Sequence, residues 1–230
     1  MNIYFDGKGS FDEWGLKLLE VKISLPDIKE KKIDIPGRDG DLDMSTFLTG
    51  DVQYRNRTVE YTFDASGWPE SWAAITTRVA NYLHGKRMRI IHGFDEAYYY
   101  EGRLTLDSAR SNQYTSRLVI TGDIYPYKYE INDGTEDWLW DPFDLENGVI
   151  REYSTIPIKG SRQVTIIGNR KKVAPTITCT EAIQLSYGVL TFNLPAGTTR
   201  VDELLLGEGE HVLTFTGNSV VTISYRGGSL

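Results

Sequence analysis

Apolar residues recur at every second position in stretch after stretch of this 230-residue chain, and that period leaves few folds open. Leu19, Val21, Ile23 and Leu25 alternate with charged or polar neighbours, as do Val59, Tyr61, Phe63 and Ala65. Tyr98, Tyr100, Leu104 and Leu106 keep one parity around Gly102, and Leu118, Ile120 and Ile124 keep another around Gly122. Successive side chains of a strand point to opposite faces, so each run predicts an antiparallel strand with one buried side. The two glycines inside these runs predict bulges or close backbone approach.

One segment breaks the period. Trp72, Ile75, Val79 and Tyr82 fall on a single helical stripe, with Pro69 and Glu70 suited to a first turn and Gly85 to the end. A helix is expected near 69–84, lying on a sheet, with His84 at its C-terminal end, where a positive charge suits the helix dipole. His92 and His211 read as surface or capping residues.

Beyond residue 131 the pattern changes. All five tryptophans lie before residue 141, and Asn132–Asn147 is rich in acidic and turn residues around Pro142. A domain is expected over 1–131, a linker or belt over 132–147, and a second domain over 148–230. Short strands are expected in that second domain at Gln163–Ile167, Thr176–Thr180, Ile183–Tyr187, Val189–Leu194, Leu204–Leu206, Val212–Phe215 and Val220–Tyr225. Turn signals such as Gly188, Pro195-Ala196-Gly197 and Gly217-Asn218 separate some of them, which suggests a β-sandwich. The fold class is therefore mainly β: an N-terminal antiparallel β domain with one α-helix, then a β-sandwich.

Charge and cysteine content narrow the function. The formal net charge is −7 and no basic run exceeds Lys171-Lys172, a poor basis for phosphate neutralisation, so no specific nucleic-acid binding is expected. Cys179 is the single cysteine, which leaves the fold to core packing and fits manufacture in a reducing cytoplasm. The N-terminus shows no secretory pattern, no stretch approaches membrane-spanning length, and Asn56-Arg57-Thr58 is read as a chance match to a glycosylation acceptor.

Catalytic signatures are wanting. The three histidines and Cys179 form no zinc-type spacing, and there is no nucleophile elbow, metalloprotease helix, Walker loop or dinucleotide fingerprint. Asp137, Asp141 and Glu146 could pair as glycosidase carboxylates, but 32 acidic residues supply such pairs by chance. No cofactor is expected, and the chain is not expected to be an enzyme. A wall-degrading activity ranks last among the functions considered.

The most distinctive segment is Ile35-Pro36-Gly37-Arg38-Asp39-Gly40-Asp41-Leu42-Asp43. Pro36 fixes its own φ and the glycines permit positive φ, so the segment reads as an ordered, charged loop suited to being gripped by another protein surface. Its carboxylates superficially match a calcium loop, but Met44 and Gly50 stand where an EF-hand requires glycine and glutamate; convergence of three alternate carboxylates on an ion stays open.

Several separated pieces together resemble the distal tail protein (Dit) family of long-tailed phages of Gram-positive bacteria. They are Pro36-Gly37-Arg38-Asp39-Gly40 with Leu42 and Ser45, the helix after Trp68-Pro69, and Ile124-Tyr125-Pro126-Tyr127-Lys128-Tyr129. Val173-Ala174-Pro175-Thr176-Ile177 and Tyr225-Arg226-Gly227-Gly228-Ser229-Leu230 extend the likeness to the end of the chain. The resemblance implies an N-terminal domain that forms a six-fold ring around a channel for DNA and a peripheral galectin-like β-sandwich. The implied partners are further copies of the chain, the tail tube protein and the tail-tip hub protein, and the implied location is the virion tail. Under it, Pro36, Gly37, Arg38, Asp39, Gly40 and Asp43 are candidate subunit-interface residues. The competing reading pairs Arg38 with Asp39 or Asp41 inside its own loop. The rival function is a carbohydrate-binding module contacting the host wall, against which the second domain's lack of tryptophan counts.

Overall fold

The computed structural model describes residues 1–66, 71–111, 116–133, 135 and 153–230. The chain divides into two compact units, Met1–Phe94 with Tyr100–Lys128 and Leu230, and Asp95–Tyr99 with Tyr129–Ser229. The expected linker 132–147 lies, apart from Asn132, Asp133 and Thr135, outside the described residues.

The first unit contains β1 (Ile3–Phe5), β2 (Lys8–Gly9), α1 (Ser10–Trp14), β3 (Lys17–Ile23), β4 (Lys32–Ile33), β5 (Leu42–Asp43) and β6 (Arg57–Asp64). It continues with α2 (Trp72–Leu83), β7 (Arg87–His92), most of β8 (Asp95–Ser111) and β9 (Ser116–Ile124). Its main sheet runs β2-β1-β7-β8-β9-β6-β3. Period two is obeyed where the strands are regular: Val59, Tyr61, Phe63 and Ala65 are buried, as are Leu118, Ile120 and Ile124. Phe5 meets Tyr61 edge-on, with ring centroids 5.8 Å apart, in the same core. Gly102 and Gly122 mark close approach. A β-carbon on Gly102 would overlap the Asp123 carbonyl oxygen and the Ile124 Cα of the neighbouring strand.

β3 departs from the expected parity. A bulge between Leu18 and Glu20 adds a residue to this strand against β6. The phase shifts, Leu18, Val21 and Ile23 pack on the core, and Leu19 is left 52% exposed. Leu25 lies beyond the strand and is exposed as well.

The helix is shorter than the sequence suggests. Ser71 is its N-cap, extended at φ −64° and ψ 140°, and its hydroxyl accepts from the Ala74 N–H. The helix thus starts at Trp72; Pro69 and Glu70 lie outside the described residues. The stripe holds: Ile75, Val79 and Leu83 are buried, while Trp72 and Tyr82 pack at the edge of the same core. Gly85, at φ +77°, follows the C-cap residue His84.

The second unit is a curled antiparallel sheet. After β10 (Lys128–Glu130), which pairs with the first residues of β8, come β11 (Ile156–Gly168), β12 (Thr176–Cys179) and β13 (Ile183–Tyr187). β14 (Leu190–Leu194), β15 (Gly197–Arg200), β16 (Gly209–Ser224) and β17 (Gly228–Ser229) complete it. The order is β14-β13-β16-β12-β15, with β11 on the other edge of β16. Ile166, Ile177, Leu185, Leu213, Phe215 and Ile223 are fully buried inside the curl.

Three expectations change here. Val212–Phe215 and, short of Tyr225, Val220–Tyr225 belong to the single strand β16, because Gly217 (φ +142°) sits opposite Gly160 (φ +77°) and the ladder with β11 runs through both. Leu204–Leu206 is not a strand: Leu204 and Leu206 are buried in the core from a loop, and Leu206 forms only an isolated bridge with Val173. The segment from Gly197, read as a turn, pairs with β12 as β15.

Candidate interaction loop

Between Ser24 and Thr58 the chain folds into a two-stranded arm. Ser24 N–H donates to the Thr58 carbonyl at 3.0 Å, Arg55 N–H to Asp27 at 2.7 Å and Lys29 N–H to Gln53 at 2.8 Å. An isolated Ile28–Tyr54 bridge sits among these, and β4 pairs with β5 beyond, Lys32 facing Asp43 and Ile33 facing Leu42. Met44 N–H donates to the Lys31 carbonyl at 2.8 Å, and the Lys31 N–H donates to Ser45 Oγ at 2.9 Å.

The tip of the arm is the charged loop. The Arg38 N–H donates to the Ile35 carbonyl at 3.1 Å, which closes a turn with Pro36 and Gly37 at its centre. Gly37 has φ +84°, the value a type II turn demands at its third position. Gly40 has φ +73°, and a β-carbon on either glycine would meet nothing within 4 Å. Backbone conformation, not crowding, therefore selects glycine at both sites.

The loop's charged side chains face solvent. Pro36, Arg38, Asp39 and Asp41 are exposed, and Arg38 has no ion pair among the described residues. The intramolecular pairing with Asp39 or Asp41 does not form, so the guanidinium fork is available to another surface. Asp43 is differently placed. Its Oδ1 accepts the Ser45 N–H at 2.8 Å, and the Ser45 hydroxyl and N–H together hold its carboxyl below the usual carboxylate range. Among the described residues no group of three His, Cys, Asp or Glu side chains is placed to hold a metal ion, so Asp39, Asp41 and Asp43 do not converge on one.

What the sequence reading missed is the arm itself. No residue from 27 to 56 is buried, yet Phe47 is 73% and Leu48 83% exposed at the turn following β5. A lone two-stranded hairpin is marginal in water. The signal was a hairpin turn flanked by strands with too few apolar residues to build a core.

The histidines also differ from expectation. His84 Nδ1 accepts the Leu106 N–H at 3.1 Å. His92 is buried, its Nε2 lies 2.7 Å from the Tyr61 hydroxyl, and its ring packs on Phe94 and Tyr100. Arg57, also buried, lies over the Tyr100 ring at 4.8 Å, and Asn56 donates to Asp123 at 3.1 Å. His211 bridges Tyr187 at 2.7 Å and the Gly207 carbonyl at 2.8 Å. Asp137, Asp141 and Glu146 lie outside the described residues. In the second unit Tyr153 and Tyr225 are buried, while Tyr187 is half-buried with its hydroxyl on His211. Tyr153 donates to the Thr165 carbonyl at 3.0 Å and Tyr225 to the Ile167 carbonyl at 2.7 Å.

Among solved structures the chain is similar to the crystal structure of SPP1 Dit, described as a paradigm of the hub adsorption apparatus in Gram-positive infecting phages. The match covers 98% of both chains with a TM-score of 0.64 at 14% sequence identity, a likeness of fold. No protein-family model matches the chain, and no curated protein sequence does.

Proposed function

We propose that this chain is a structural subunit of a phage tail hub, a Dit-like distal tail protein with no catalytic role. The observation that carries the reading is the fold match to SPP1 Dit along 98% of both chains. In this reading the first unit assembles with further copies into a six-membered ring whose channel passes DNA. The tail tube protein docks on one side, the tail-tip hub protein on the other, and the assembled protein resides in the virion tail. The acidic balance suits a channel that DNA must traverse without adhering.

The arm supplies the contact between copies. Its loop is ordered in advance by Pro36, Gly37 and Gly40, which lowers the entropy lost when the same contact forms around a ring. Arg38 reaches a carboxylate of the neighbouring copy, Asp39 is free to accept from a neighbour's arginine, and Asp43 fixes the base of the loop through Ser45. Negative-stain microscopy and light scattering of the purified chain, alone and mixed with tube protein, test the reading. Closed rings with a central hole are expected. Monomer under every condition, including with tube protein, would sink it.

A further inference from the structure

The interior of the first unit holds a positive charge with no counter-charge. Arg57 opens β6 and shares the inward parity of Val59, Tyr61 and Phe63. It is only 3% exposed, and its guanidinium lies over the Tyr100 ring. Among the described residues it makes no ion pair, and its buried Nε and Nη2 have no hydrogen-bond partner. Nearby carboxylates are turned away or engaged. Asp123 stands opposite Thr58 and Glu60 opposite Thr121, on the other face of the sheet from Arg57. Asn56 donates to Asp123, Lys22 pairs with Glu60, and Arg87 holds Glu101 at 2.8 Å.

The neighbouring rings do not neutralise the charge. Burial pushes the Tyr61 phenol well above its ordinary value, so it stays protonated, with its hydroxyl 2.7 Å from His92 Nε2. Burial also pulls the guanidinium below its ordinary value, against Tyr100 and Tyr61, yet arginine remains charged. A buried charge without its opposite is among the costliest groups a core can hold. Water accepts hydrogen bonds but brings no counter-charge. The first unit thus carries one half of a buried ion pair.

We propose that Arg57 is a buried binding site for a carboxylate, delivered either as a small free anion or as the acidic side chain of a protein docked on the first unit. The two idle nitrogens decide the ligand class. Nε–H and an Nη2–H lie along one edge of the planar guanidinium and point the same way. That edge is the fork that bonds a carboxylate through two parallel N–H···O contacts. One positive charge and two aligned donors match one negative charge and two oxygens. A phosphate dianion would bring in a second charge with nothing to offset it, and a halide presents a single centre where the fork offers two bonds. The Tyr100 ring backs the guanidinium and fixes its plane.

The test is thermal melting of the full chain in sodium formate against sodium chloride at matched ionic strength, formate being the smallest carboxylate. A saturable rise in Tm is expected, roughly 3–6 °C at a tenfold excess over Kd. Arg57→Met removes both charge and fork and should abolish the rise. Arg57→Lys keeps the charge without the fork and should lose most of it. Arg117→Met, at an exposed position, should respond as the unaltered chain does. No formate-specific rise in the unaltered chain overturns the proposal, whether or not the variants fold. So does a rise that survives in both Arg57 variants, or one that chloride matches. Repeating the titration on assembled chain, or on chain mixed with tube protein, separates the two sources. A response that disappears on assembly assigns the site to a neighbour's carboxylate, and one that persists assigns it to the free anion. Ring formation is scored separately, so this proposal and the tail-hub reading fail independently.

Discussion

Replacing Gly37 with alanine separates what the loop does for the fold from what it does for assembly. Gly37 has φ +84°, where an L-residue costs about 1–2 kcal/mol relative to glycine. Its new methyl group would meet nothing within 4 Å, so no clash adds to that figure and no packing offsets it. The isolated chain can respond locally, by letting the Arg38 N–H leave the Ile35 carbonyl, because the arm holds no buried side chain. Its melting temperature therefore falls by a few degrees at most, on a scale of roughly 2–4 °C per kcal/mol for a chain of this size. The proposed six-copy ring would meet the same cost at every repeated contact, roughly 6–12 kcal/mol in all. The assay is sedimentation velocity across a concentration series, alongside thermal melting followed by tryptophan fluorescence. Gly188→Ala is the matched control: it has φ +57° and equally open surroundings, but lies in the second unit. Assembly should collapse in Gly37→Ala and persist in Gly188→Ala. Equal assembly in both variants refutes the claim that a pre-shaped loop drives association.

Other expectations concern the core and its ionisable groups. Gly102→Ala would drive a β-carbon into the backbone of Asp123 and Ile124, and should destabilise the first unit by about 1–3 kcal/mol or more, read as a lowered urea midpoint. An unchanged midpoint would show that the strands slide apart freely. Tyr61→Phe deletes the hydroxyl at 2.7 Å from His92 Nε2 and leaves a buried ring nitrogen without that partner, a loss of about 1–3 kcal/mol measurable in the same titration. Burial pushes the Asp133 carboxyl up, but the Thr135 hydroxyl and N–H, the Ser224 hydroxyl and the Arg226 charge outweigh it, and the group stays below its ordinary value. A carboxylate depressed on folding stabilises above its unfolded value, about 3.9, and that stability is lost as pH falls through the lower folded value. Thermal melts from neutral pH downward should therefore show a shallower acid limb in Asp133→Asn; parallel limbs would rule Asp133 out.

Much of the fold was legible because burial writes itself into periodicity. Val59, Tyr61, Phe63 and Ala65 alternate because β6 is regular and covered on one face, and Ile75 and Val79 repeat because one side of α2 meets the core. Legibility ended where a backbone irregularity moved the phase. The bulge at Leu18 and Glu20 turned Leu19 outward without any residue that announces it, and Gly217 read as a break until its partner Gly160 was known. At the candidate site, Pro36-Gly37 disclosed the turn because its chemistry is local. That Arg38 stays unpaired, that Asp43 turns to Ser45 and that His92 is enclosed by aromatics are properties of distant neighbours, which no short pattern encodes.

The absence of buried side chains between 27 and 56 has a bearing on how such a chain can diversify. Most substitutions are filtered by their effect on folding, since cores tolerate little change in volume. Residues of the arm escape that filter. Selection sees them through what they touch, so the arm can drift, lengthen or exchange charge to suit a new neighbour while the sheets beneath keep their sequence constraints. Under the proposed role, recognition and foldability are written in separate stretches of the same polypeptide, free to evolve at different rates.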